Sequence, residues 1–185
     1  MAMSSRVIEQ AIAARSAATV LRRLRRIDKD DLLAAMGIGL RKGVDEILAA
    51  NGADVDRGRD AGMDEALLDR LTLTPERIEG MAVGLEGVAH LDDPVGEVVR
   101  GWHTPLGVKV EQVRVPIGVI GIIYEARPNV TSDAAGICLK SGNACLLRGS
   151  SSALESNRAV IAAMRSRLPE EIREAVQPVS YTHLT

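Results

Sequence analysis

Ile117-Gly118-Val119-Ile120-Gly121-Ile122-Ile123, running directly into Tyr124-Glu125-Ala126-Arg127-Pro128-Asn129-Val130-Thr131, is the stretch on which the fold turns. Its first half is a short apolar run rich in β-branched residues, which predicts a strand buried on both faces. Its second half is a polar loop carrying Arg, Pro and Asn. Open α/β sheets hold their ligands in loops of this kind, directly after a strand.

The same grammar repeats downstream. A helix is expected over about 130–140, a turn at Ser141-Gly142-Asn143, a second strand over 144–148, a loop over 149–152 and a second helix over 153–168, closed by Pro169. Two parallel strands joined by a helix make a right-handed crossover. The loops after both strands then share one edge of the sheet, so 124–129 and 149–152 should meet there. The turn 141–143 precedes a strand and belongs at the opposite edge, with its Gly and Asn as turn formers.

Upstream of this unit the chain reads as helical. Residues 5–26 form an amphipathic pattern with Val7, Ile8, Ala11, Ala14, Ala18 and Leu21 on one stripe. Asp28 suits the N-cap of a second helix, whose stripe is Leu33, Met36, Leu40, Val44 and Ile47 and whose end is Asn51-Gly52. Gly37, Gly39 and Gly43 weaken that helix by roughly 1 kcal/mol each relative to Ala. No strand precedes them, so they do not make a dinucleotide fingerprint. A short helix is expected over 64–71. Thr74-Pro75 starts a further one, with Thr as cap and Pro at the first helical position, and Asp92-Asp93-Pro94 stops it. Residues 97–103 and 108–115 then alternate apolar and polar around Thr104-Pro105-Leu106-Gly107, which predicts a β-hairpin with an edge able to pair with another chain.

Composition narrows the function. Hydrophobic residues make up 46% of the 185, but aromatics only 2% with no Phe, so the core must be aliphatic. The net charge of -2, with signs interspersed, leaves no footprint for nucleic acid. Arg22-Arg23-Leu24-Arg25-Arg26 reads as the solvated face of a helix. The N-terminus lacks an apolar signal core and no run suits a membrane span. With Cys138 and Cys145 forming no disulfide framework, a reduced cytoplasmic setting is expected. Both cysteines fall inside predicted buried elements and read as small core residues rather than nucleophiles. His90, His103 and His183 show no ligand spacing, so no metal site is expected.

The candidate chemistry lies in the two post-strand loops. Arg148-Gly149-Ser150-Ser151-Ser152 opens a helix, where small residues admit a ligand and backbone N–H groups favour an anion; the serines serve equally as N-caps. Arg148 suits a phosphate. The Asn129 amide can donate to a developing oxyanion or can cap its helix. Arg127 can bind an anion or pair with Glu125.

Together with Leu68-Asp69-Arg70-Leu71-Thr72-Leu73-Thr74-Pro75, Asp93-Pro94-Val95-Gly96, Leu139-Lys140-Ser141-Gly142-Asn143 and Leu147-Arg148-Gly149, the run from Val115 to Thr131 resembles the gamma-glutamyl phosphate reductase family, also called glutamate-5-semialdehyde dehydrogenases, within the aldehyde dehydrogenase superfamily. The likeness covers about residues 6–178. It implies an α/β, aldehyde-dehydrogenase-like Rossmann-type cofactor domain, present in part, with a helical N-terminal segment and a protruding hairpin. The divisions are 5–92 for the helices, 96–116 for the hairpin, 117–178 for the βαβα portion that binds NADP, and 179–185 for a tail unlike the family. Members reduce L-glutamyl 5-phosphate with NADPH to glutamate 5-semialdehyde in proline biosynthesis, through a cysteine that takes up the acyl group.

On this resemblance Asn129 is the oxyanion-stabilising asparagine, and Tyr124, Glu125, Ala126, Arg127, Pro128, Arg148, Gly149, Ser150 and Ser151 face NADPH. Ser152 stands where NAD-preferring relatives carry a glutamate, which relieves repulsion of a 2′-phosphate. The hairpin resembles an oligomerisation element, which implies a homo-oligomer. The nucleophile's Pro-Ser-Thr-Cys-Asn segment is absent from this sequence. The expectation is therefore a truncated reductase, inactive alone; the alternative is a standalone, non-catalytic nucleotide-binding module.

Overall fold

The computed structural model describes residues 2–180. In chain order it contains α1 (Ala2–Leu21), α2 (Arg26–Lys42), α3 (Val44–Asp60), α4 (Glu65–Leu71), α5 (Pro75–His90), β1 (Val98–His103), β2 (Lys109–Val113), β3 (Val119–Ile123), α6 (Pro128–Lys140), β4 (Ala144–Arg148), a 3-10 turn (Ser151–Ala153), α7 (Leu154–Arg165), α8 (Glu170–Arg173) and β5 (Val176–Pro178). No helix among the described residues is long and apolar enough to cross a membrane.

β3, β4 and β5 form one parallel sheet in that order, so β4 is central and β3 lies at an edge. Ala144 and Cys145 point to opposite faces of β4 and are both fully buried, so both faces are covered. The crossover helices α6 and α7 cover one face, as the right-handed rule demands, and α1 contacts all three strands from the other. Helices α2, α3 and α5 form a further layer outside α6 and α7. The core is aliphatic as composition requires, with Leu33, Met36, Leu40, Ile78, Leu85, Leu139 and Ile161 among its fully buried side chains.

Strand β3 corrects the expectation of two-sided burial. It begins at Val119, and Ile117 and Ile123 are 82% and 70% exposed. Its β-branched residues set the extended backbone, but burial needs a neighbour, and among the described residues β3 pairs only with β4. The turn at 141–143 does lie at the other edge. Gly142 takes φ +73 there, Asn143 is buried, and its Oδ1 accepts from Gly118 N at 2.8 Å.

The helical front differs from the sequence reading at three points. Arg25 rather than Asp28 holds the N-cap of α2; Asp28 is three residues inside, and its carboxylate accepts from Arg25 N at 3.0 Å. The break falls at Gly43, and Asn51-Gly52 lies within α3. Asn51 is no helix stop because its amide is consumed by tertiary bonds. It donates to Leu71 O at 2.8 Å and Ser156 Oγ at 3.0 Å, and accepts from Leu73 N at 2.7 Å. Helix α1 ends at Leu21 and α7 at Arg165, both short of the expected 26 and 168.

The glycines of α2 serve packing. A methyl on Gly39 would overlap the Ala163 carbonyl of α7, so its bare backbone lets the two helices close on each other. Thr74 caps α5 by accepting from Arg77 N, as the sequence indicates, and Asp64 caps α4 by accepting from Leu67 N. Arg22, Arg23, Arg25 and Arg26 are exposed, with Arg26 reaching Asp92 at 2.9 Å.

The hairpin of β1 and β2 forms in register Trp102↔Val110, with Gly107 at φ +82 in its turn. Both strands are exposed, Val110 alone being half-buried. At the chain's far end, Val179 N donates to Leu147 O at 2.9 Å and extends the pairing of β5 on β4. The rest of the 179–185 tail beyond Ser180, and His183 with it, lies outside the described residues.

Candidate active-site cleft at the sheet edge

Parallel pairing sets Ile123 beside Arg148, and Tyr124 N donates to Arg148 O at 3.1 Å. The two post-strand loops therefore leave the sheet together, on the same edge.

In the first loop Arg127 occupies the N-cap of α6, Pro128 its first position, and Asn129 its exposed first turn. Asn129 thus does not cap the helix. Its carbonyl accepts from Ser132 Oγ at 2.8 Å, and its side chain faces a cleft. Arg127 rests loosely on Glu125 at 3.9 Å. Tyr124 turns inward instead. Thr131 spends its hydroxyl proton on Asn157 Oδ1 at 2.9 Å, so the Tyr124 hydroxyl donates to Thr131 Oγ1 at 2.8 Å. Burial pushes the Tyr124 phenol up to about 12.

The second loop is tightly packed. A methyl on Gly149 would collide with the Asn157 amide nitrogen and sit 3.1 Å from the Tyr124 ring, so the bareness of Gly149 serves the protein's own side chains. Ser150 caps the 3-10 turn, and its hydroxyl lies 2.8 Å from that of Ser152. The start of α7 already holds an anion: the buried carboxylate of Asp54, from α3, accepts from Ser156 N at 2.7 Å and Ser156 Oγ at 2.6 Å. A carboxylate there offsets the helix dipole. The anion anticipated for this helix start is thus supplied by the chain itself, in its first turn.

Two clefts open at this edge. One, of about 360 Å³, lies between the loops and is lined by Met63, Leu67, Arg70, Glu125, Ala126, Arg127, Ser150 and Ser152. The other, of about 560 Å³, carries Asp69, Arg70, Arg77, Arg127, Asn129 and Asp133. Arg70 and Arg127 line both, so the two adjoin. Arg148 lines neither, although its backbone marks the edge. Arg77 is locked by Thr72 O at 2.7 Å and Asp69 Oδ1 at 2.8 Å. Burial raises the Asp133 carboxyl above its ordinary range. Met63, Leu67, Arg70, Arg77 and Asp133 escape the sequence reading. The first four come from helices and loops some fifty residues upstream; only the distinctive run from Leu68 to Pro75 marks their neighbourhood.

Cys138 and Cys145 are buried in α6 and β4. A mutual hydrogen bond, and then burial, push the Cys145 thiol well up. Neither cysteine lines either cleft.

No known family model matches the chain. Individual proteins do. It is 97% identical over 183 residues to the gamma-glutamyl phosphate reductase of Cutibacterium acnes, covering 99% of this chain and 44% of that protein. It is 55% identical over 155 residues to that of Thermobifida fusca, covering 84% and 37%. Among solved structures, gamma-glutamyl phosphate reductase from Thermotoga maritima superposes with a TM-score of 0.89 at 43% identity, covering 94% of this chain and 42% of that one. A probable aldehyde dehydrogenase from Listeria monocytogenes shares the fold at 13% identity, with a TM-score of 0.67 over 97% and 37%. The chain therefore has an aldehyde-dehydrogenase-like fold and spans less than half the length of the curated relatives it matches.

Proposed function

We propose, from a likeness to gamma-glutamyl phosphate reductases that runs through 99% of this chain, that it supplies the coenzyme-binding part of an NADPH-dependent reduction of L-glutamyl 5-phosphate to L-glutamate 5-semialdehyde in proline biosynthesis. The observation that carries this is the 97% identity, joined to a loop-lined cleft where the α/β sheet ends.

The cleft between the loops fits a phosphorylated nucleotide. It combines the Arg127 guanidinium and hydroxyls of Ser150 and Ser152 with apolar Met63, Leu67 and Ala126, a donor set for phosphate and ribose beside a surface for a base, while Arg70 stands at the boundary with the adjoining cleft. Glu125 lines the same cleft, and Tyr124, Pro128, Gly149 and Ser151 would face the coenzyme from the same two loops. Arg148 would reach the 2′-phosphate from the end of β4. The bound NADPH supplies the hydride. Asn129, free of capping duty, donates its amide to the oxygen of the reacting carbonyl as charge develops there. Buried and apart from the clefts, Cys138 and Cys145 are poor nucleophiles. The thiol is thus expected from the part of the relatives that this chain does not span, and the chain alone should turn over no substrate. The exposed hairpin would join copies into an oligomer, and the setting would be the cytoplasm.

The test is Asn129→Ala in a full-length reductase carrying this stretch. Loss of an oxyanion donor should lower kcat by about 10²–10³-fold with NADPH affinity retained. An unchanged kcat would remove Asn129 from the mechanism.

A further inference from the structure

The larger cleft offers more than an oxyanion donor. Asn129 and Asp133 stand four residues apart on α6, so their side chains share one face about 6 Å apart along the axis. The facing wall belongs to α5 and is bare at Gly80, and one turn further along α5 a Cβ on Gly84 would lie 3.6 Å from Asp133 Oδ1. Burial alone raises the Asp133 carboxyl, with no cation bound to it to pull the other way. This is notable in a cleft with three arginines. Arg77 is committed to Asp69 and Thr72, Arg127 leans on Glu125, and Arg70 makes no ion pair among the described residues.

The chemistry left over is one unpartnered carboxylate beside the oxyanion amide, with guanidinium groups at the rim. That arrangement complements an α-amino acid presented by its side-chain acyl group. In an extended glutamyl chain the reacting carbon and the α-nitrogen lie about 5 Å apart, close to the pitch of one turn of α6.

We propose that Asp133 is a specificity residue that pairs with the α-ammonium of the substrate while Asn129 holds its reacting carbonyl, Arg70 meeting the α-carboxylate. The assignment rests on the reductase reading above and deepens it. It makes this chain, not only the portion of the relatives beyond it, responsible for telling an amino acid from a plain dicarboxylic acyl group.

The experiment runs the reaction in reverse, with NADP⁺ and inorganic phosphate, in a full-length reductase carrying this stretch. It compares kcat/KM for glutamate 5-semialdehyde with that for glutaric semialdehyde, which lacks only the amino group. Asp133→Asn should lower this preference by about tenfold or more, chiefly through KM for the amino substrate, and Asp133→Glu should restore part of it. As a check independent of folding, the unmodified enzyme should be inhibited more strongly by L-glutamate than by glutarate. A preference unchanged in Asp133→Asn, or equal inhibition by the two acids, overturns the role of Asp133 and leaves the reductase reading standing. An unmodified enzyme that oxidises neither aldehyde overturns the reductase reading itself.

Discussion

Gly149, Tyr124 and Thr131 illustrate how single residues serve the site by serving the core. Gly149 has no room for a methyl beside Asn157 and the Tyr124 ring. Gly149→Ala should therefore destabilise by about 1–3 kcal/mol through overpacking, read as a lower denaturant midpoint at unchanged slope. Tyr124 makes a pH-dependent contribution. Its phenol is raised from 10.0 to about 12 in the folded chain, so the folded state holds its proton more tightly than the unfolded one. The stabilisation is complete below pH 10 and is lost as pH climbs through 12. The raised value implies about 2–3 kcal/mol. Stability measured against pH should fall across that window, and Tyr124→Phe should flatten the fall. Asn129 marks the limit of residue-level reading. Its two roles were indistinguishable in sequence, and Arg127 occupying the cap removes the capping one.

At the level of elements, α2 and α7 meet through Gly39 against Ala163. An Ala in a helix interior normally gains about 1 kcal/mol over Gly. Here the added methyl strikes a carbonyl, and an overpacking penalty of about 1–3 kcal/mol exceeds that gain. Gly39→Ala should thus lower the melting temperature, and a rise would show that the helices can separate at little cost. This contact also explains what the sequence concealed. The crossover from β3 to α7, its turn at 141–143 and the cap at Thr74 were legible because each rests on local signals: β-branched runs, turn residues, a capping oxygen. The α2 glycines, the Asn51 hub and the Asp54 carboxylate at α7 were not. Each answers to a partner more than twenty residues away, or to the backbone of another helix, and local periodicity carries no record of either. The burial of β3 failed for the same reason, since an edge differs from a centre only by its neighbour. The cleft was half legible: its loops were marked, while Arg70, Arg77 and Asp133 entered through the packing of α4, α5 and α6.

For the molecule as a whole, apolar surface gathers on the hairpin and the flank of β3. Leu106 is 93% exposed, and Val108, Val115 and Ile117 are also exposed, as is Trp102 beneath Arg100. A surface of this kind favours association. Trp102 is the chain's one tryptophan, so its emission should shift to the blue as concentration rises, in step with a growing sedimentation coefficient. Emission and sedimentation independent of concentration would mean that the hairpin stays solvated. The Tyr124–Thr131–Asn157 chain has a further consequence. It rivets the strand tip, the helix bearing Asn129 and the helix behind Gly149 into one frame, so neither lip of the cleft can flex while the other stays still. On the proposed function, damage to this inner seam, remote from either cleft's rim, should slacken the grip on nucleotide and on acyl substrate in common, as a loosened pivot spoils both jaws of a vice.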